Sequence, residues 1–504
     1  MMKTNKRDKV KFLTFIKHLD LMKDMFSEEE IKFSPYLHPD KTAQERLSKY
    51  PVLSMNLNFI SLTIYKTKFA ARFLKSLLIP IIYHLYNRPT LTFSNQNLCE
   101  NIDTIFVSHY THKEISVLDQ DFYFGDLPKR TKIKSSQNLL LYINHTRDRS
   151  MQPSSSNNDI NFKPMKILLP KTTGNKTFFQ IYLNQLKLFY RIFLKANSYS
   201  KKSGVQKIFL CELALQQLNR SAFMQQCLIQ NILEICKKSE PRKIMLTYEG
   251  HSYETFLARK IDKCFVNMEI GVYQFSALVP AQISFFKNLE LLPTKTVIYV
   301  SGENPAKQIK SLTSLGKNRI QVLGSCKNSG KNFSMVAKSN NLNVLFAPEG
   351  SKSSLTEFVA LLGHCIKSLP DVNFILRPHP ASFRYVQKTL GKSLGSNLNK
   401  FLSKNILEND LRAAHICIYK SSVVGIQGLQ YGVLPIHFSY LDSGATDPIS
   451  VSDLPHPRFS SHEKLINELK TYHHKTGIQR IHSSENLNKA FKKYFNPINT
   501  KIII

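Results

Sequence analysis

Tryptophan is absent from this chain of 504 residues, and acid is scarce: 36 Asp and Glu stand against 69 Lys and Arg, a formal net charge of +33. An excess of that size directs the protein toward an anionic partner, whether nucleic acid, an acidic membrane face or a phosphate-bearing substrate. The basic residues are spread along the whole chain, and no nucleic-acid-binding module is present, so no nucleic acid partner is expected. Part of the excess goes with a composition rich in Lys, Asn and Ile. Long uncharged apolar runs are missing too. Phe69 to Tyr86 is broken by Arg72, Lys75 and His84 and falls short of the ~20 residues a span needs. It reads as a surface or buried helix, able with its charge to touch an anionic leaflet. The opening MMKTNKRDKVKFLTF has neither the apolar core nor the cleavage site of a signal peptide. The expected location is cytoplasmic, with peripheral contact on the inner membrane face. The eight cysteines form no CxxC pair and no metal spacing, and read as mostly buried free thiols. GxxxxGK[ST], HExxH, GxSxG and a strong DxD-type site are all missing, so no metal site is expected.

What the chain does have is a rhythm. From Asp103 onward, short β-branched apolar runs break into small or polar residues and alternate with amphipathic stretches. DTIFVSHYTH, NLLLYINHT, MKILLP, KIMLTYEG and IGVYQFSALVP read as strands, with helices over Phe178–Lys195, over Ile208–Lys237 and from His251. SMQPSSSNNDINF reads as a loop. TVIYVSGENPAKQI, RIQVLG, NVLFAP, NFILRP, HICIYK and VLPIHF continue the series, and His462 to Phe495 reads as a helical tail. This alternation predicts an α/β protein with two Rossmann-like domains facing a cleft. The expected division begins with a mostly helical or irregular extension over 1–100, cut by Pro35, Pro39, Pro51 and Pro80. An acceptor-side domain over 101–292, a nucleotide-donor domain over 293–460 and a C-terminal tail over 461–504 follow.

Parallel sheets hold ligands at the carboxyl ends of their strands, so the residues there carry the functional argument. Arg377-Pro378-His379-Pro380 follows NFIL. The two prolines fix the backbone around His379, and a His held this way can donate to a phosphate and stabilise a departing nucleotide. A solvated turn is the plainer use of the same residues. Ser421-Ser422 follows HICIYK, where hydroxyls either cap helix amides or meet phosphate. Glu349-Gly350 follows NVLFA and can take ribose or sugar hydroxyls, or cap the helix at Ser353-Ser354. With Gly302 after the Thr296–Val300 strand and Gln427 in GIQGLQYG, these residues make up the donor-side candidates. In the first domain Glu249-Gly250 ends KIMLTY, and its carboxylate can serve as general base on an acceptor hydroxyl or as a helix cap. Tyr248, His251 and Glu254 are placed to tune it. His109, His145, His251 and Gln274 are the candidate acceptor contacts.

RPHP, the Ser pair leading into GIQGLQYGVLPI, the EG after a first-domain strand and DFYFGDLP resemble bacterial surface-carbohydrate biosynthesis proteins of the GT-B type. These are similar in pattern to bacterial sialyl- and polysialyltransferases, and the likeness covers about residues 103–450. The resemblance implies a glycosyltransferase that moves a sugar from a nucleotide donor, a CMP-sugar in first place, onto a surface glycan such as O-antigen or capsule. It implies no metal and no cofactor beyond the nucleotide sugar as substrate. His379, Pro380, Ser421 and Ser422 then fall on the donor site and Glu249 on the base, making Glu249 and His379 the catalytic pair. The chain departs from the pattern at Tyr248, where a second acidic residue is usual, and at Phe275, which follows Gln274 in place of a His. Gln427 stands in place of a ribose-binding Glu. The partners implied are a nucleotide sugar, a glycan or lipid-linked glycan acceptor and an anionic membrane surface. The other readings are a CDP-polyol phosphotransferase of the teichoic-acid type, which shares an RPHP-like site, and a non-catalytic polyanion-binding or scaffold protein.

Overall fold

The computed structural model describes residues 59–87, 102–110, 121–131, 137–145, 165–198, 204–280, 282–328, 341–382, 385–386, 398–440, 446–450, 454–474 and 484–503. Most of the expected N-terminal extension, Cys99 and the loop at 150–162 lie outside these residues.

Helix α1 (Phe59–Tyr86) leads into strands β1 (Ile102–Tyr110), β2 (Gln137–Asn144) and β3 (Met165–Leu168). Three helices follow, α2 (Asn175–Ser198), α3 (Gly204–Gln217) and α4 (Arg220–Ser239). Then come β4 (Lys243–Thr247), α5 (Ser252–Cys264), β5 (Glu269–Gln274), α6 (Ile283–Glu290), β6 (Val297–Val300), α7 (Glu303–Leu312) and β7 (Ile320–Val322). These seven strands form one sheet in the order β3-β2-β1-β4-β5-β6-β7, with every pairing parallel. The second sheet is built from β8 (Asn343–Ala347), β9 (Asn373–Leu376), β10 (Ile416–Tyr419), β11 (Leu434–Phe438) and β12 (Arg458–Phe459). Between its strands lie α8 (Lys352–Ser368), α9 (Leu407–Ala413) and α10 (Val424–Leu429), and after them α11 (His462–His473) and α12 (Ser484–Tyr494). Its order is β12-β11-β10-β8-β9, again all parallel. The expected architecture of two Rossmann-like α/β domains is therefore present.

The central strands are buried on both faces, as parallel strands covered by crossover helices must be. Ile105, Ile244, Val272 and Ile298 pack under α4, α5 and α6 in the first core. Val344, Phe346, Ile418 and Ile436 pack under α8 and α11 in the second. Each such side chain contributes about 1.5–3 kcal/mol by leaving water.

Three sequence expectations change at this level. The stretch read as one helix over Ile208–Lys237 is two, because Asn219 accepts the amide of Ala222 at 2.8 Å and starts a new helix. Pro80 does not end its helix but sits buried inside α1. A proline there loosens the preceding turn, and the Tyr182 hydroxyl donates to the Leu77 carbonyl at 3.0 Å. Third, the strands of TVIYVSGENPAKQI and RIQVLG, grouped by sequence with the second domain, pair onto β5 and close the edge of the first sheet. Strand periodicity cannot distinguish a last strand of one sheet from a first strand of the next.

The last described residues return to the first sheet. Helix α12 lies across both α10 and α7. Beyond it the Ser325 amide donates to the Asn496 carbonyl and the Asn499 amide to the Leu323 carbonyl, each at 2.8 Å. The buried Lys243 ammonium donates to the Ile503 carbonyl at 3.1 Å. Ile503 thereby completes the aromatic side of the first core, beside Phe106, Tyr110 and Tyr299. Among the described residues no helix is long and apolar enough to cross a membrane. The described cysteines are free thiols, with Cys264 exposed, Cys326 half-buried and the rest buried.

Candidate active site

In the first sheet the strand order turns around between β1 and β4, and loops leaving in opposite directions open a crevice at such a point. Val107 pairs with Leu246, so His109 near the end of β1 and Glu249 just past β4 reach nearly the same height. Gly250 lets the chain turn there. Its φ of +80° suits glycine, and a side chain would meet the Phe285 backbone at 2.6 Å. His251 then caps α5: its side chain accepts the amide at Glu254, while the Glu254 carboxylate accepts the amide of His251 at 2.8 Å. An ionised carboxylate can only accept. The Nε2–H of His251 therefore donates to Glu249 Oε2, 3.1 Å away.

The ionisable groups around this pair perturb one another. Burial pushes the half-exposed Glu249 upward, but the His251 hydrogen bond, then the electrostatic pull of His251 and, further off, of Lys327, outweigh it and hold the carboxyl below its ordinary value. Burial carries Glu254 the other way, up to about 8, with His251 pulling against it. His109 Nδ1 lies 2.9 Å from His145 Nε2. Burial first, then His145, lowers His109 to about 3, and burial with His251 also lowers His145. The pair is neutral at physiological pH, one ring donating to the other.

DFYFGDLP supplies the wall. Asp121 and Gly125 exchange backbone hydrogen bonds of 2.9 and 2.8 Å, and the Asp121 carboxylate accepts from Ser108 Oγ at 2.8 Å and from the amides of Tyr123 and Phe124. This turn sets Tyr123 edge-on to His109 at 5.4 Å and to Phe275 at 4.5 Å. Lys327, just past β7, holds its ammonium 6.0 Å from the Phe275 ring and 5.2 Å from Phe495. Burial pushes it down to about 8, against the pull of Cys326 and Glu249.

The second sheet reverses between β8 and β10, and the same logic places its crevice there. Ser421, after β10, donates its hydroxyl to Glu349 Oε2, after β8. Ser351 donates to the other carboxylate oxygen at 3.1 Å while accepting the Ser354 amide, so Ser351, and not Glu349, is the cap of α8. The His379 ring lies against Gly350, where an added Cβ would stand 3.0 Å from Nδ1. Its carbonyl accepts both the amide and the hydroxyl of Ser382, at 2.8 and 3.0 Å, so Pro380 opens a short 3-10 turn and the imidazole stays exposed.

Glu349, Gly350, His379 and Ser421 thus come together, and so do Glu249, His251, His109 and His145 through their mutual fields. Other candidates have different occupations. Arg377 Nη1 donates to the wholly buried Asp410 at 2.6 Å, to the Asn405 carbonyl at 2.8 Å and to Ser403 at 3.2 Å, locking the loop before α9. Ser422 accepts the Val424 amide at 3.3 Å, and Gln427 is half-buried on α10. Gly302 lies on the first sheet, under the carbonyls of Lys493 and Tyr494, where only a hydrogen fits. Gln274 is buried at 1% exposure, and neither atom of its amide has a partner among the described residues. Sequence reasoning passed over Lys327, Tyr123 and Asp121 as site residues. Lys327 follows the RIQVLG strand after Ser325 and Cys326 and carries no motif of its own. No three or more His, Cys, Asp or Glu among the described residues are grouped to hold a metal ion.

No protein-family model and no curated protein matches the chain. Solved structures that resemble it include the UDP-GlcNAc 2-epimerase of Methanocaldococcus jannaschii in complex with UDP-GlcNAc and UDP. That protein is 14% identical over 77% of this chain and 98% of its own, with a TM-score of 0.42. A putative UDP-N-acetylglucosamine 2-epimerase from Listeria monocytogenes is 10% identical over 80% and 94%, at 0.45. The wall teichoic acid polymerase TagF is 10% identical over 88% and 96%, at 0.39. Similarity of this degree assigns no reaction.

Proposed function

We propose that the chain is a glycosyltransferase that takes a sugar from a nucleotide-activated donor, a CMP-sugar in first place, and adds it to a surface glycan. The observation that carries this reading is the Glu249–His251 pair at the reversal point of the first sheet, matched by the Glu349–Ser421 and Gly350–His379 contacts at that of the second. Glu249, kept ionised by His251, takes the proton of an acceptor hydroxyl. The acceptor oxygen attacks the anomeric carbon in line as the bond from that carbon to the phosphate oxygen breaks, and the phosphate leaves with the electron pair. His379 and the Ser421-Ser422 hydroxyls donate to the leaving phosphate, Ser421 turning its proton away from Glu349, which then takes a sugar or ribose hydroxyl. The proton on Glu249 passes to water. His109 and His145 line the acceptor side as neutral donors and acceptors. Arg377, Gly302 and Gln274 hold the framework in this reading, and no step calls for a metal.

The test is nucleotide release from CMP-, CDP-, UDP-, GDP- and dTDP-linked donors with a glycan acceptor, with and without EDTA. The reading expects one CMP-linked sugar to be consumed, undiminished by EDTA and abolished by Glu249→Gln. Consumption of CDP-glycerol or CDP-ribitol alone would replace it with polyol-phosphate transfer, and consumption of none would remove it.

A further inference from the structure

Helices α1 and α2 run antiparallel, with Phe69 on Phe193, Phe73 on Phe189 and His84 on Phe178. Their outer surfaces are apolar. Leu74, Leu78, Ile82 and Leu85 on α1 and Phe179, Leu183, Tyr190 and Leu194 on α2 are each between 48% and 61% exposed. Large side chains left in water along two adjacent helices call for a partner.

The register shows that these are one surface. Leu74, Leu78 and Leu85 each follow by one residue a position that meets α2, namely Phe73, Leu77 and His84. Phe179, Leu183, Tyr190 and Leu194 likewise follow Phe178, Tyr182, Phe189 and Phe193. One residue turns a helix by about 100°. In antiparallel helices the same step turns the two stripes in opposite senses about a common direction, and so brings them to the same side of the pair.

Charge selects the occupant. Neither helix contains an Asp or Glu, while Lys66, Lys68 and Lys75 on α1 and Lys176 and Lys187 on α2 border the stripes, and Arg72 is paired with the buried Glu212 of α3. A second copy would bring two such basic faces together. Residues 1–58 are themselves basic, with eleven Lys and Arg against eight Asp and Glu. An apolar stripe bordered by cations alone matches the headgroup boundary of an anionic bilayer, where the apolar side chains enter the acyl region and the cations meet lipid phosphates.

We infer that the α1–α2 face docks the protein flat on an anionic lipid surface without spanning it. The inference stands apart from the proposed reaction, since vesicle binding is read with no donor or acceptor present. Full-length protein is sedimented with phosphatidylcholine vesicles, with or without phosphatidylglycerol, alongside the double variant Leu78→Glu, Leu183→Glu. The wild type should partition at least tenfold more strongly onto the anionic vesicles, and the variant should lose at least tenfold at an unchanged melting temperature, since both residues are exposed. A photo-crosslinker at position 78 should mark lipid once vesicles are added. Equal binding by variant and wild type, or no binding by wild type, would overturn the inference. So would a lipid-free crosslink from position 78 to residues 1–58 or to a second chain.

Discussion

The two sheet edges are built alike and equipped differently. Each has its candidates at the reversal point of a parallel sheet, yet the first carries ionisable groups packed on one another and the second carries hydroxyls, one carboxylate and an exposed imidazole. At the first edge, burial and mutual charge spread the groups from about 3 at His109 to about 8 at Glu254 and Lys327. Such spreading suits proton movement. At the second edge the strong cation, Arg377, is committed to Asp410, and what remains offers hydrogen-bond donors for a phosphate. Shared topology fixes where each edge lies, while the packing around each strand end decides what it can do.

The contrast breaks most sharply at Glu249. Glu249→Gln should lower turnover by about 100- to 10,000-fold and leave nucleotide affinity and melting temperature nearly unchanged, because the carboxylate is half-exposed. Steady-state kinetics and calorimetry on one preparation separate the two. Arg377→Met tests the opposite assignment. It strands the buried Asp410 carboxylate and should cost about 3 kcal/mol of stability in urea unfolding. A normal unfolding curve with lost nucleotide binding would return Arg377 to the donor site.

A smaller effect follows from His109. It stays neutral in the folded state down to about pH 3, whereas an ordinary His takes a proton near 6.5. Above 6.5 neither state is protonated and nothing is lost. Below it the unfolded chain gains the proton first, so stability falls with pH until about 3 is reached, by about 2 kcal/mol at pH 5. His109→Gln should flatten that acid limb by the same amount, as melting temperature against pH will show.

Much of this was legible in the sequence. The β-branched runs located all the long strands, because strands buried on both faces cannot be anything but apolar. The EG and RPHP punctuation marked the strand ends at which Glu249 and His379 lie, since a chain that must leave a strand and turn needs glycine or proline. The sheet to which Val297–Val300 belongs was hidden, because pairing is a long-range choice. Arg377's occupation was hidden too, resting on Asp410, thirty-three residues away in sequence. Lys327 carried no motif; only the fold brings it to Phe275 and Glu249.

Nucleotide binding measured on wild type, His379→Ala and Glu249→Gln is the most direct test of the division between the two edges. The account predicts that CMP or a CMP-sugar binds wild type and Glu249→Gln alike, and His379→Ala about tenfold more weakly. Equal binding by all three, or loss confined to Glu249→Gln, would contradict it.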